Sequence, residues 1–95
     1  MNDQPSEYDE LTPAQKAAVA AWIAWALIPS GQPCPESSYT LKHRCENGEG
    51  GFYISNGQFK GAMLAAGYVP IDSGDRNWHF CAKFRQPLEA YASPV

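Results

Sequence analysis

A chain of 95 residues with 44% hydrophobic and 13% aromatic residues has room for one small domain with its own core. This argues against a multidomain enzyme and an intrinsically disordered chain, and three cysteines without a repeated CxxC pair argue against a disulfide-stabilised secreted domain. The net charge of −3 disfavours nucleic-acid binding at first sight. However, four of the acids lie in the first ten residues, and the body from Pro13 to Val95 has seven basic and six acidic residues.

The two ends of the chain are predicted to be tails around a single domain. Residues 1–11 are polar and acidic, with neither a secretory nor a mitochondrial presequence pattern, so we expect a flexible acidic tail and a cytoplasmic location. Residues 12–85 are predicted to form the domain. Residues 86–95 contain prolines and are expected to form a weakly structured C-terminal tail.

The first predicted helix begins at Thr12, a favourable N-cap, followed by Pro13 at the first helical position. Twelve apolar residues run from 17 to 28, too few for a membrane span of about 20, and Pro29 ends them. Trp22 and Trp25 lie three residues apart, close to one face. Either both belong to the core, or part of this helix forms a homodimer or partner interface.

A proline-rich loop is predicted over 29–36, then a second helix from Ser37 or Ser38 to Asn47 and a short strand over 52–54. Ser55 and Gln58 form the S-x-x-Q capping box of a third helix, which Gly67 ends. Gly57, Gly61 and Ala65 follow at spacings of four. This stripe has almost no side chain, and therefore predicts that something approaches it closely.

The last predicted unit is a β-hairpin formed by residues 68–71 and 77–84. In the second strand, Trp78, Phe80, Ala82 and Phe84 alternate with more polar residues, as in a strand with one buried face. The order helix, helix, short strand, helix, hairpin predicts an α+β fold that resembles the winged-helix variant of the helix-turn-helix, with the hairpin as the wing.

The segment 37–70 is also similar to small uncharacterised proteins of phages and integrative elements. The shared sequence pattern consists of Tyr-x-Leu-Lys-His, Tyr-x-x-Asn-Gly-x-Phe-Lys-Gly-Ala-Met-Leu and a later Asn-Trp. In this chain it is carried by Tyr39, Leu41, Lys42, His43, Tyr53, Asn56, Gly57, Phe59 to Leu64, Asn77 and Trp78. The resemblance implies a mobile-element origin and no particular activity.

Nucleic-acid binding through the winged-helix-like module is the first functional hypothesis. Asn56, Gln58 and Lys60 would contact bases from the start of the third helix. Lys42, Arg44 and Arg76 would contact phosphates. The alternative is that the residues on the third helix are ordinary solvated positions and that the glycine stripe serves helix packing.

The second hypothesis is an inhibitor of host defence, of the anti-CRISPR or anti-restriction type, that binds a host nucleic-acid-handling protein. Its acidic tail would mimic phosphate charge, or would merely aid solubility. Two H-x-C pairs, His43 with Cys45 and His79 with Cys81, fall short of a zinc site. Since no motif indicates catalysis, we expect a non-enzymatic protein without a cofactor or a membrane partner.

Overall fold

Helices dominate the part of the chain that the computed structural model describes, residues 3–48 and 50–87. A 3₁₀ helix over Pro5–Glu10, the N-terminal 3₁₀ helix, comes first. It is followed by α1 (Pro13–Ala26), β1 (Leu27–Pro33), α2 (Ser38–Glu46), α3 (Asn56–Ala65) and β2 (Cys81–Phe84). The predicted α+β class is confirmed.

The predicted N-cap at Thr12 and the predicted capping box at Ser55 are both observed, and Thr12 also forms a capping box with Gln15. The Thr12 hydroxyl accepts a hydrogen bond from the Gln15 amide at 3.1 Å, and Ser55 does the same for Gln58 at 3.0 Å. Gly67 ends α3 with φ +97°, and the Tyr68 amide donates to the Met63 carbonyl at 3.0 Å. This bond defines a Schellman ending, for which glycine is the favoured residue.

The two strands form an antiparallel sheet that joins distant parts of the chain. Leu27 lies opposite Phe84 and Pro29 opposite Ala82, with an irregularity in register between Pro29 and Pro33. The predicted loop over 29–36 is therefore wrong for residues 29–33. Prolines are tolerated there because this irregular strand pairs on one side only.

The winged-helix order is not confirmed. Residues 52–54 form no strand. The predicted hairpin is reduced to an isolated bridge between Pro70 and Phe80, and β2 pairs with β1 instead. The alternation in the second half of that hairpin is nevertheless observed, since Trp78, Phe80 and Ala82 are buried.

The acidic N-terminal segment is packed against the domain, so the prediction of a solvated tail is wrong for its described residues. The N-terminal 3₁₀ helix lies on the glycine stripe of α3, and Leu11 belongs to the core. A Cβ at Gly57 would overlap the backbone of Gln4, and one at Gly61 would overlap Tyr8. The close neighbour that the stripe predicts is therefore this segment. Residues 1–2 and 88–95 lie outside the described residues.

One core connects α1, α2, α3 and the sheet. Its largest fully buried side chains include Ile23, Leu27, Leu41, Phe59 and Phe80. No helix in the described ranges is long and apolar enough to cross a membrane.

The three thiols differ in burial, which predicts their reactivity. Cys34 and Cys45 are buried and Cys81 is exposed, and burial raises the pKa of the Cys45 thiol to about 12. At about pH 8, iodoacetamide is expected to modify Cys81 alone in the folded protein, because the thiolate is the reacting form. Mass spectrometry of the native protein measures this, and labelling in guanidinium chloride, where all three should react, is the control. Equal labelling of Cys45 in the native state would contradict the packing.

Candidate functional site: a tyrosine-lined polar cleft

A polar cleft of 790 Å³ opens between α2, the start of α3 and the segment that precedes β2. We call it the tyrosine cleft. It is lined by Asp3, Tyr39, Lys42, His43, Tyr53, Asn56, Arg76 and Asn77.

Two exposed tyrosines flank a buried ammonium group in this cleft. Tyr39 is 49% exposed and Tyr53 is 70% exposed, whereas Lys42 is only 4% exposed. The Lys42 Nζ lies 5.2 Å from the centroid of each ring. At this distance a cation is attracted to the π-face of an aromatic ring, so Lys42 stabilises both rings in their positions.

The Glu46 carboxylate holds the side chains of Lys42 and His43 in place. Glu46 Oε1 lies 3.1 Å from Lys42 Nζ and 3.0 Å from His43 Nδ1, and its Oε2 accepts a hydrogen bond from the Ile54 amide at 3.3 Å. The spacings on α2 make this possible, since Lys42 and Glu46 are one turn apart. Tyr39 and His43 are also one turn apart, and their rings meet edge to face at 4.6 Å.

Asn56 is a buried residue that lines the cleft, and its side-chain amide is fully hydrogen-bonded. Its Nδ2 lies 2.9 Å from Asp3 Oδ1, 2.9 Å from Asn77 Oδ1 and 3.2 Å from the Arg76 carbonyl. Its Oδ1 accepts a hydrogen bond from the Ser38 hydroxyl at 2.8 Å. The amide thus joins α2, α3, the N-terminal segment and the segment before β2 at one buried point.

Asp3 connects the cleft to a second pair of basic residues. Its carboxylate accepts from Arg76 Nε at 3.1 Å, and its backbone carbonyl accepts from Lys60 Nζ at 2.9 Å. The Asn56 hydrogen bond, with the charges of Arg76 and Lys60, lowers the pKa of Asp3. Burial lowers the pKa of Lys60, whose Nζ also lies 4.8 Å from the Trp78 ring centroid.

The structure brings only some of the predicted nucleic-acid-binding residues together. Lys42, Asn56 and Arg76 meet in the tyrosine cleft. The prediction that Asn56, Gln58 and Lys60 project into solvent is wrong for Asn56 and Lys60, which are buried, while Gln58 is half-buried and donates to Glu10. The cause is the N-terminal segment, which covers this end of α3.

Arg44 lies outside the cleft. Its guanidinium makes two hydrogen bonds to Glu36, of 2.6 and 2.8 Å, and this pairing raises its pKa. An arginine in a half-buried bidentate pair is committed to its carboxylate partner. It is therefore poorly suited to the phosphate contact that the sequence predicts for it.

The sequence reasoning assigned no role in nucleic-acid binding to Tyr39, His43, Tyr53 or Asn77, and it considered Asp3 only as part of an acidic tail that mimics phosphate charge. For Tyr39, His43, Tyr53 and Asn77 a signal was available, because they belong to the sequence pattern that is shared with mobile-element proteins. Except for Lys60, the polar residues of that pattern line the cleft. Asp3 has no comparable signal, since only the folded structure brings it to α3.

An apolar groove of 490 Å³ forms a second surface feature. It lies between α1, β1 and residues 66–71, where Val69 and Ile71 are exposed. Of the two tryptophans, Trp22 packs edge to face on Phe59 at 6.2 Å, whereas Trp25 is half exposed on α1. Trp22 therefore belongs to the border of the core, and a homodimer or partner interface through Trp25 stays a prediction.

Within residues 3–48 and 50–87, no three His, Cys, Asp or Glu side chains are grouped so that they could hold a metal ion. His79 Nδ1 is instead 3.0 Å from the Cys34 carbonyl. No family model, curated protein or solved structure matches the chain.

Proposed function

We propose that the protein is a small non-enzymatic nucleic-acid-binding protein of a phage or other mobile element, and that it binds single-stranded segments in the tyrosine cleft. The observation that carries the proposal is the pair of exposed rings, Tyr39 and Tyr53, whose centroids each lie 5.2 Å from the Lys42 ammonium nitrogen. Single-strand binding proteins combine aromatic platforms for bases with basic groups for the backbone.

The charge distribution favours a single strand over a duplex. Duplex binding needs several basic side chains that can reach successive phosphates. Here Arg44 is paired with Glu36, Lys42 with Glu46, and Lys60 is buried. Arg76 at the cleft rim keeps an exposed side chain. A cleft with stacking rings and few cations therefore supports binding that depends mainly on unstacked bases.

Replacing Tyr53 by alanine tests this proposal. The variant Tyr53→Ala is expected to bind a short oligothymidylate about tenfold more weakly than the original protein, because each stacked base contributes roughly 1–3 kcal/mol. Fluorescence anisotropy with a labelled oligonucleotide at low salt measures the affinity. Tyr53→Phe is the matched control, since it keeps the ring and removes only the hydroxyl group.

Two outcomes would count against the proposal. One is equal affinity of the original protein and Tyr53→Ala for the single strand. The other is tighter binding of a duplex of the same length, which would point to phosphate contacts without base stacking.

A protein partner is the second candidate, as an inhibitor of a host nucleic-acid-handling protein. The apolar groove with exposed Val69 and Ile71 favours it, because apolar patches of this kind occur at protein interfaces. Charge mimicry by the N-terminal acids has less support, since Asp3, Glu7 and Glu10 accept hydrogen bonds from the domain itself. Under this alternative, neither the original protein nor its Tyr53 variants bind oligonucleotide at low salt.

A further inference from the structure

Three donors converge on the first described residue of the chain. Asn56 Nδ2 and Arg76 Nε donate to the two carboxylate oxygens of Asp3, at 2.9 and 3.1 Å. Lys60 Nζ donates to the Asp3 carbonyl at 2.9 Å. The amide and the guanidinium therefore hold the Asp3 carboxylate, and the ammonium group lies beside it on the backbone carbonyl. Donors of these kinds are the ones that proteins use for phosphate.

The same acidic segment satisfies the other polar groups at this end of α3. Ser55 Oγ lies 3.0 Å from Glu7 Oε1, and Gln58 Nε2 donates to Glu10 at 3.1 Å. Since Glu7 also faces Lys60, the anions around Lys60 come from the N-terminal segment. Without that segment, the start of α3 with Arg76 would be a basic surface that has no side chains at Gly57 and Gly61.

The position of Asp3 allows it to leave without unfolding its neighbours. It precedes the N-terminal 3₁₀ helix, in which no residue is fully buried, and its partner Arg76 has a side chain that is 77% exposed. The fit of the 3₁₀ helix against Gly57 and Gly61 involves residues 4–8 and does not require the Asp3 carboxylate. Another anion can therefore replace the Asp3 carboxylate while the N-terminal 3₁₀ helix stays packed on α3.

The site also adjoins the tyrosine cleft. Asp3, Asn56 and Arg76 line the cleft, and Asp3, Lys60 and Arg76 line a smaller neighbouring cavity of 310 Å³. An anion in place of the Asp3 carboxylate would lie between the two cavities, at the point where a bound single strand of nucleic acid would pass from one cavity to the other.

We infer that Asn56 and Arg76, with the Lys60 ammonium beside them, form a phosphate-binding site, and that the Asp3 carboxylate occupies it as a built-in stand-in for a phosphate group. The inference rests on the proposed function for the source of the phosphate, a nucleic-acid backbone. The site itself depends only on the donors described above. Asp3 then competes with the ligand phosphate for the same site and lowers the apparent affinity of the protein for that ligand.

The first test uses inorganic phosphate and NMR, and does not depend on nucleic-acid binding. In Asp3→Ala, phosphate is expected to shift the side-chain N–H signals of Asn56 and Arg76 with at least about tenfold higher affinity than in the original protein. Asp9→Ala is the matched control, because it removes one exposed acid from the same segment without vacating the site. Equal phosphate affinity of Asp3→Ala and Asp9→Ala would overturn the inference.

The second test identifies the source of the phosphate. If it is a nucleic-acid backbone, Asp3→Ala binds labelled oligothymidylate more tightly than Asp9→Ala, and adding Arg76→Gln to Asp3→Ala removes the gain. If phosphate binds Asp3→Ala but no variant binds the oligonucleotide, the site stands and the proposed function fails. If the oligonucleotide binds with equal affinity to Asp3→Ala and Asp9→Ala, the stand-in role of Asp3 is wrong even though the proposed function stands.

Discussion

Asn56→Asp is expected to lower the free energy of unfolding by about 3 kcal/mol, although the two side chains have nearly the same shape. In the original protein the Asn56 amide faces Asp3 Oδ1, Asn77 Oδ1 and the Arg76 carbonyl, all of which are acceptors. The substitution turns this donor into an acceptor at a buried position. Urea denaturation followed by tryptophan fluorescence measures the loss.

The matched control is Asn77→Asp, the same exchange at the other end of one of these hydrogen bonds. Asn77 contributes an oxygen acceptor and is exposed, so the change should stay within about 0.5 kcal/mol. Equal effects of the two substitutions would show that the charge, and not the direction of the hydrogen bond, determines the stability here.

The Asn56 penalty is also expected to depend on pH. Burial raises the pKa of the introduced carboxylate, so it takes up a proton and can donate again as the pH falls toward about 4, and the difference from the original protein should shrink before that pH is reached. The original protein loses stability at lower pH than this, because the folded-state pKa of Asp3 lies below its ordinary value of 3.8. Its contribution is therefore present at neutral pH and disappears as the pH falls through that lowered pKa.

Gly61→Ala is expected to destabilise the protein by about 2 kcal/mol, in spite of a gain of about 1 kcal/mol in helix propensity. An added methyl group would overlap the Cβ of Tyr8 and the backbone oxygen of Pro5. Because backbone atoms of the N-terminal 3₁₀ helix are involved, a side-chain rotation does not relieve the overlap. The free energy of unfolding in urea is the measurement.

Gly31→Ala is the control for this substitution. A Cβ at Gly31 meets nothing within 4 Å, and the backbone there does not require glycine. The change should be neutral within about 0.5 kcal/mol. If Gly61→Ala were also neutral or stabilising, the N-terminal segment would not pack on α3 as described.

The features that sequence reasoning predicted well are those determined by neighbouring residues. The N-cap at Thr12, the capping box at Ser55 and the ending at Gly67 depend on residues within a few positions of the helix end. The alternation that buries Trp78, Phe80 and Ala82 follows from strand geometry. The α+β class can be predicted from these local features without knowing which elements contact each other.

The features that it missed depend on pairing between distant residues. Prolines at 29 and 33 predict a loop, and only the presence of β2 as a partner makes this segment a strand. The docking of residues 3–10 on α3 is a second case. Gly57 and Gly61 predict a close neighbour, but nothing local to α3 identifies it as the acidic N-terminal segment.

The candidate site shows the same division. Asn56, Lys42 and Arg76 were identified by residue type, because amide and basic groups suit nucleic-acid contacts. The burial of Asn56 and Lys42 was not predictable, since it comes from the docked segment and from Glu46, whereas Arg76 stays exposed. Tyr39 and Tyr53 become a pair only through the loop between α2 and α3, which brings both rings to Lys42.

The antiparallel pairing of Leu27 with Phe84 has a consequence for the order of folding. Because β2 is near the end of the described chain, the sheet cannot close while the chain is still being synthesised up to that point. Contacts between such distant residues carry a large loop-closure entropy and slow the folding reaction. Helices α2 and α3, which lie between the two strands, can form earlier, and the tyrosine cleft that they carry is completed only when the segment from Arg76 onwards is added.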